Sequence, residues 1–269
     1  MNKTSNKHSK PEINTYVIPM KAMIFAAGLG TRLKPLTDNM PKALVPVAGI
    51  PMLERVILRL KENGFDNITV NIHHFGQQII DFLNAHNNFG VQIHISDERD
   101  LLLDTGGAIR KARPFLDGNE PFLVHNADIL TDIDLRTFYQ YHLDNHAEAS
   151  LLVSKRKTSR YLLFDQHYQL KGWTNKNTGE IKPEGLEYKN EQSYTEMAFG
   201  GIHVISPSLF RLMENDEWQG KFSIIPFYLS ACQTNRILGY PLQNVHWFDI
   251  GKPETLAAAE SFYQSQCAH

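Results

Sequence analysis

The 269-residue sequence has only two cysteines, Cys232 and Cys267, and no C-x-x-C spacing. That excludes a disulfide-stapled scaffold and a thiolate zinc site of ordinary spacing, and so few thiols read as a cytoplasmic chain. Long apolar runs are also missing. None approaches the ~18 residues of a membrane span, so no membrane partner is expected. Residues 1–19, rich in Asn, Lys and Ser, lack the apolar centre of a signal peptide. They are expected to form a disordered leader ahead of a single domain over 20–269, long enough to bury a sizeable core. The chain is nearly neutral as well. A formal net charge of −2 gives no general attraction for nucleic acid, so any phosphate binding has to be local.

What the chain does contain is concentrated near its start, in Ala22-Met-Ile-Phe-Ala-Ala-Gly-Leu-Gly-Thr-Arg-Leu-Lys-Pro-Leu-Thr37 and Pro41-Lys-Ala-Leu-Val-Pro-Val47. Residues 22–26 are a short apolar run, as in a buried strand. The run empties into a loop with Gly28 and Gly30, where backbone N–H groups can approach an anion without a Cβ in the way. Arg32 and Lys42 add full positive charges for phosphate oxygens. Two common phosphate loops are ruled out. G-x-x-x-x-G-K-S/T fails because Thr-Arg-Leu follows Gly30, and G-x-G-x-x-G fails because Leu33 stands at the third glycine position.

Hydrophobic spacing predicts helices over 52–63, 77–84, 106–112 and 135–145, alternating with strands over 68–71, 91–95 and 122–125. Strands separated by short helices imply βαβ units with right-handed crossovers. The expected fold is α/β, a Rossmann-like, mostly parallel mixed sheet with helices on both faces. Loops 26–34, 71–78, 99–107 and 126–132 should then share the carboxyl edge of the sheet, where such folds bind ligands. Further strands are expected over 149–153, 199–205, 236–240 and 245–249, a hairpin over 162–165 and 170–173, and helices over 222–231 and 253–264. The polar stretch 175–192 carries no element in this reading. Segment 155–195 is expected to be a small antiparallel insertion beside the second substrate or, equally, a partner surface.

Asp128 in Leu123-Val-His-Asn-Ala-Asp-Ile129 and Asp249 in Trp247-Phe-Asp-Ile-Gly-Lys-Pro-Glu254 each end an apolar strand. Two carboxylates from distant positions on one edge can share Mg²⁺ bridging two phosphates. Asp104-Thr-Gly-Gly-Ala108 enters a helix whose first N–H groups are open to a ligand, with Thr105 and Gly106 as contacts. Asn71 in Asn71-Ile-His-His-Phe-Gly-Gln-Gln78 offers an amide to a base edge. Phe199-Gly-Gly-Ile-His203 lets a sugar lie against backbone at Gly200, with Glu196 as acceptor for its hydroxyls. Trp173 and Trp247 read as core.

The stretch from Ala26 to Val47 resembles the signature of the sugar-1-phosphate nucleotidyltransferases, AAGxGTRLxPLTxxxPKxLxPV, almost position by position. The resemblance implies an Mg²⁺-dependent transfer of a nucleoside monophosphate from a nucleoside triphosphate to a sugar-1-phosphate. It implies Ala26, Ala27, Gly28, Gly30 and Thr31 as the triphosphate cradle, Arg32, Lys42 and Asp128 as catalytic residues, and Asp128 and Asp249 as magnesium ligands. Asn126 enters with the N-x-D segment as a substrate contact. Leu103-Asp-Thr-Gly-Gly-Ala-Ile109 looks most like the N-acetylmuramate-1-phosphate uridylyltransferases, implying UTP, though Asp104 stands where those relatives have Glu. Mannose- and heptose-1-phosphate guanylyltransferases share the same core. The hexapeptide period of an appended left-handed β-helix is missing, which argues against a bifunctional acetyltransferase. Two readings of other kinds remain. One is a phosphocholine cytidylyltransferase with Tyr188, Tyr194 and Trp173 as an aromatic cage. The other is a non-catalytic nucleotide-sugar-binding subunit, which would have no need of both carboxylates. Oligomeric state is not legible.

Overall fold

A computed structural model describes residues 20–188 and 193–267 of the chain. The leader expected over 1–19 lies outside the described residues. In chain order the elements are β1 (Met20–Phe25), β2 (Pro46–Val47), β3 (Ile50–Pro51), α1 (Met52–Glu62), β4 (Phe65–Ile72), α2 (Gly76–Ala85) and β5 (Gln92–Asp97). There follow α3 (Asp104–Lys111), α4 (Arg113–Leu116), β6 (Phe122–Asn126), β7 (Ile129–Thr131), α5 (Leu135–Asp144), β8 (Ala149–Ser154), β9 (Arg160–Phe164) and β10 (Leu170–Asn175). The chain closes with β11 (Glu180–Lys182), β12 (Thr195–Ile205), α6 (Ile224–Ala231), β13 (Ile237–Pro241), β14 (Trp247–Asp249) and α7 (Pro253–Cys267).

β1 is the axis of a ten-stranded mixed sheet. It pairs in parallel with β4 on one side and β6 on the other, and β5 continues the parallel block beyond β4. Side chains alternate across the pleat. Ala22 and Ile24 join Leu53, Val56 and Ile57 of α1, Phe138 of α5 and Ala259 of α7 in one buried cluster. Met23 joins Ile109 of α3, Leu116 of α4 and Phe227 and Tyr228 of α6 in the other. Helices therefore cover both faces of the block, whose central strand β1 is apolar on both sides.

Beyond β6 the direction reverses. β12 runs antiparallel to β6 through Ile202–Ile205 and pairs with β9 through Thr195–Met197, so one long strand links the parallel block to an antiparallel extension. The expected hairpin is present as β9 and β10. It gains a third strand that periodicity did not reveal: β11, in the polar stretch, pairs with β10. Its exposed-intermediate-exposed pattern leaves no apolar signal to read. α3 begins at Asp104, two residues earlier than expected, and a 3-10 stretch over Pro207–Glu214 was not foreseen. Two short ladders lie outside the main sheet, and one of them, β7 with β14, pairs Ile129 with Asp249. No helix among the described residues is long and apolar enough to cross a membrane.

Candidate active site

The ends of β1, β4, β5 and β6 open together, as expected, around a cleft of about 300 Å³. Ala26, Ala27, Gly28, Lys42, Asn71, Thr105, Asn126 and Asp128 all line it. Gly30, Thr31, Arg32, Gly106 and Glu196 do not, and Gly200 and Asp249 line a neighbouring cavity that shares Asn126 with the cleft.

The glycine loop is held by a buried relay. The Ala26 N–H donates to Asn71 Oδ1 at 2.8 Å, and Asn71 Nδ2 donates to Glu98 Oε1 at 2.8 Å. Glu98 is fully buried, and its Oε2 accepts the Leu103 N–H at 3.0 Å. Its carbonyl accepts from His73 Nδ1 at 2.7 Å, which puts the proton on that nitrogen. Asn71 thus knits three strand ends together with its amide while also lining the cleft. Glu98, which also lines the cleft, escaped the sequence reading. The signal for it was the one that found Asp128: an acid at the end of an apolar strand.

The two glycines of the loop differ in kind. Gly30 has φ +66°, and a Cβ there would lie 2.9 Å from Thr37 Cγ2 and 3.0 Å from Lys42 Cβ. It lets the loop press against the segment carrying Lys42. Gly28 meets no such atom within 4 Å, so its missing side chain leaves open space on the cleft wall.

Lys42 Nζ forms an ion pair with Asp128 Oδ2, both groups largely out of solvent. The β7–β14 ladder brings Asp249 opposite Ile129, and the Ile250 N–H donates to the Asp128 carbonyl at 2.8 Å. The two carboxylate-bearing residues are thus held at one corner. Arg32 is at the same corner: a Cβ on Gly251 would lie 2.8 Å from Asp249 Oδ1 and 3.0 Å from Arg32 Nη2. Among the described residues no third acidic, histidine or cysteine side chain completes a metal cluster. His125, behind this corner on β6, is held down to about pKa 4 by burial and is neutral at neutral pH.

The helix entry at 104–107 is occupied differently from expectation. The N–H groups of Gly106 and Gly107 both donate to the Phe222 carbonyl, at 2.9 and 3.1 Å, so they are not free for a ligand. A Cβ on Gly106 would lie 2.2 Å from Phe222 Cε2, and one on Gly107 2.4 Å from the Gly220 carbonyl oxygen. Thr105 Oγ1 accepts the Ile224 N–H at 2.9 Å and so satisfies the start of α6. Glycine is needed here to seat segment 220–222, which in turn places Lys221 on the cleft wall. Only the tertiary contact reveals Lys221.

The neighbouring cavity, also about 300 Å³, is bounded by Arg156, Arg160, Trp173, Gly200, Trp247 and Asp249 among others. Trp247 Nε1 donates to the Gly200 carbonyl at 3.0 Å. Gly201 has φ +76°, and a Cβ there would approach Asn126 Nδ2 to 2.9 Å, so the double glycine brings β12 close to Asn126. Both tryptophans are partly buried and pack against the core, as expected, with one side on the cavity. Glu196 Oε1 is engaged by Lys176 and the Tyr188 hydroxyl. The aromatic faces proposed as a cage already carry cations, Lys176 Nζ 5.4 Å from the Tyr188 ring centre and Lys182 Nζ 5.7 Å from that of Trp173.

Residues 21–266 match the nucleotidyl transferase family. An N-acetylmuramate alpha-1-phosphate uridylyltransferase of Neisseria meningitidis is 32% identical over 90% of this chain and 97% of its own length. The enzyme of that name from Caulobacter vibrioides is 29% identical over 90% and 96%. Mannose-1-phosphate guanylyltransferase 1 of Arabidopsis thaliana is 30% identical over 87% of this chain but 62% of its own length. Among solved structures, HddC from Yersinia pseudotuberculosis complexed with GMP-PN has a TM-score of 0.70 at 24% identity, covering 91% of this chain and 99% of its own. A UDP-glucose pyrophosphorylase complexed with UDP-glucose reaches 0.74 at 18%, covering 93% and 100%. These two share the fold.

Proposed function

The chain belongs to the nucleotidyl transferase family and is a sugar-1-phosphate nucleotidyltransferase, and on that premise we propose that it uses UTP and N-acetylmuramate 1-phosphate or a related amino-sugar phosphate. The observation that carries the reading is the placing of the Ala26–Gly28 loop, Lys42 and Asp128 on one cavity and of Asp249 on a second that shares Asn126 with it. UTP and the amino sugar are supported by relatives of nearly this length that carry that activity in their names. The guanylyltransferase relative extends well beyond the matched region.

On this reading residues 20–269 form one catalytic domain. Backbone N–H groups of the 26–31 loop cradle the triphosphate in the first cleft, and the sugar phosphate occupies the second cavity. The acceptor phosphate attacks the α-phosphorus and pyrophosphate leaves. A phosphate monoester has its second pKa at about 6, so the nucleophile is already anionic and no residue has to remove a proton. The chain's task is to hold two polyanions in line and to balance their charge. Lys42 pairs with oxygens near the α-phosphate, and Arg32 steadies the departing pyrophosphate. The relay through Asn71 and Glu98 fixes the loop against which the nucleotide rests.

Asp128 and Asp249 would hold a divalent cation, Mg²⁺ on this reading. The donor set fits, since two carboxylates without nitrogen or sulfur donors suit a hard ion that completes its shell with water and substrate phosphates. Bound there, it would supply positive charge to the phosphates of both substrates.

The test is pyrophosphate release from the purified chain with Mg²⁺. Four nucleoside triphosphates are crossed with N-acetylmuramate, N-acetylglucosamine and mannose 1-phosphates and with phosphocholine. UTP with an amino-sugar phosphate is the expected pair. GTP with mannose 1-phosphate, or CTP with phosphocholine, would overturn the substrate assignment. Silence from folded protein that still binds nucleotide would overturn the catalytic reading itself.

A further inference from the structure

The second cavity carries two guanidinium groups besides the Asp249 carboxylate. On the reading above, the acceptor's phosphate belongs near Asn126, which lines both cavities. Arg156 and Arg160 line the second cavity, and among the described residues neither has a carboxylate within ion-pair distance.

Both are exposed residues on the cavity wall. Arg156 donates from Nη2 to the Phe199 carbonyl at 3.2 Å, and its guanidinium lies 5.0 Å from the centre of the Trp247 ring. Arg160 opens β9, two residues before Leu162, which pairs across the ladder with Trp173. Residues two apart on a strand share a face, so Arg160, Leu162 and Trp173 form one wall. The turn before it is fastened: the Thr158 N–H donates to the Tyr161 hydroxyl at 3.0 Å, and Thr158 also lines the cavity. The result is a pocket lined by two indole rings and two guanidinium groups.

A guanidinium presents paired N–H donors that match the two oxygens of a carboxylate. We propose that Arg156 and Arg160 form a subsite for a carboxylate carried by the acceptor sugar, so that this enzyme selects acidic sugar phosphates over neutral ones. The inference rests on the sugar-1-phosphate reading above and narrows it to one class of acceptor. The competing assignment places both arginines on the 1-phosphate itself, which every acceptor shares.

N-acetylmuramate and N-acetylglucosamine 1-phosphates differ only by a lactyl ether bearing a carboxylate, so the pair isolates the group in question. Their binding is measured by titration calorimetry on the full chain with Mg²⁺ and a non-hydrolysable UTP analogue. Wild type is expected to bind the acidic acceptor at least about 30-fold more tightly, the scale of one charge-assisted hydrogen-bonded pair. Arg160→Gln should lose that preference while affinity for the neutral acceptor changes less than about 3-fold, and Arg160→Lys should recover part of it. Equal wild-type affinity for the two acceptors overturns the proposal. An equal loss for both in Arg160→Gln also overturns it, in favour of the phosphate assignment. Pyrophosphate release is followed in parallel, so the two readings fail separately. Turnover with UTP and no acid preference sinks the subsite alone, whereas an acid preference without turnover leaves the subsite and sinks the proposed reaction.

Discussion

Lys42 and Asp128, 86 residues apart in sequence, meet as an ion pair at the mouth of the cleft. The ammonium pairs with the carboxylate that the proposed reaction assigns to the metal, so cation binding without nucleotide competes with it. Removing the lysine should free the carboxylate and remove a phosphate partner at once. Lys42→Met is expected to tighten Mn²⁺ binding to the nucleotide-free protein by about 3- to 10-fold while lowering kcat by about 100-fold or more. Paramagnetic titration and steady-state kinetics read the two effects. Weaker metal binding would contradict the competition.

Glu98 accepts from two donors and has no solvent to fall back on. Glutamine there keeps the shape but turns one acceptor into a donor, leaving an N–H facing either Asn71 Nδ2 or the Leu103 N–H. Turning the Asn71 amide over only moves the conflict to Ala26. Glu98→Gln should cost about 1–3 kcal/mol of stability and raise the nucleotide KM, because the loop at Ala26 loses its anchor. Urea unfolding and kinetics on one preparation check both.

Two glycines separate a structural demand from a functional one. Gly107→Ala would gain about 1 kcal/mol from helix propensity, but its Cβ meets the Gly220 carbonyl at 2.4 Å. Overpacking should win, with a net loss of about 1–2 kcal/mol. Gly28→Ala meets nothing within 4 Å, so its stability should stay within about 0.5 kcal/mol. Its nucleotide KM should rise about 10-fold or more as the methyl enters the phosphate's approach. Unchanged KM in Gly28→Ala would remove the cradle from this loop.

The parallel half was readable because β1, β4 and β6 each carry a run of buried residues and end in loops with chemistry in them. Gly28 and Asp128 were found by asking what stands at the carboxyl end of such a strand, Lys42 by its charge near the glycine loop, and Asn126 through the family resemblance. The same question would have found Glu98 after β5, but the loop that follows drew attention to its glycines instead. Sequence cannot show that the Gly106 and Gly107 N–H groups are taken by Phe222, or that Glu196 is taken by Lys176, since those partners lie 116, 115 and 20 residues away. β11 was missed because a short, exposed edge strand needs no apolar residues. Trp173 and Trp247 look like core residues in sequence, and only the fold shows that each has one side on a cavity.

Three buried histidines make stability depend on pH. Burial lowers the pKa of His125 and His142 to about 4 and of His203 to about 3, from an ordinary 6.5. The unfolded chain therefore binds protons that the native state refuses, so stability falls as pH drops below 6.5 toward 4. Each histidine contributes up to about 1.4 kcal/mol per pH unit in that window. Denaturant unfolding at pH 7, 6 and 5 should show a decline steepening below pH 6.5. A flat profile would mean these imidazoles are not buried neutral.

The most direct measurement follows UTP, N-acetylmuramate 1-phosphate, the UDP-sugar and pyrophosphate together by ³¹P NMR, with wild type, Asp128→Asn and Asp249→Asn at saturating Mg²⁺. The account predicts UDP-sugar and pyrophosphate in equal amounts, only when both substrates are present. It also predicts a fall of about 1,000-fold in each folded variant. Pyrophosphate formed without the sugar phosphate, or transfer undiminished in either variant, would contradict it.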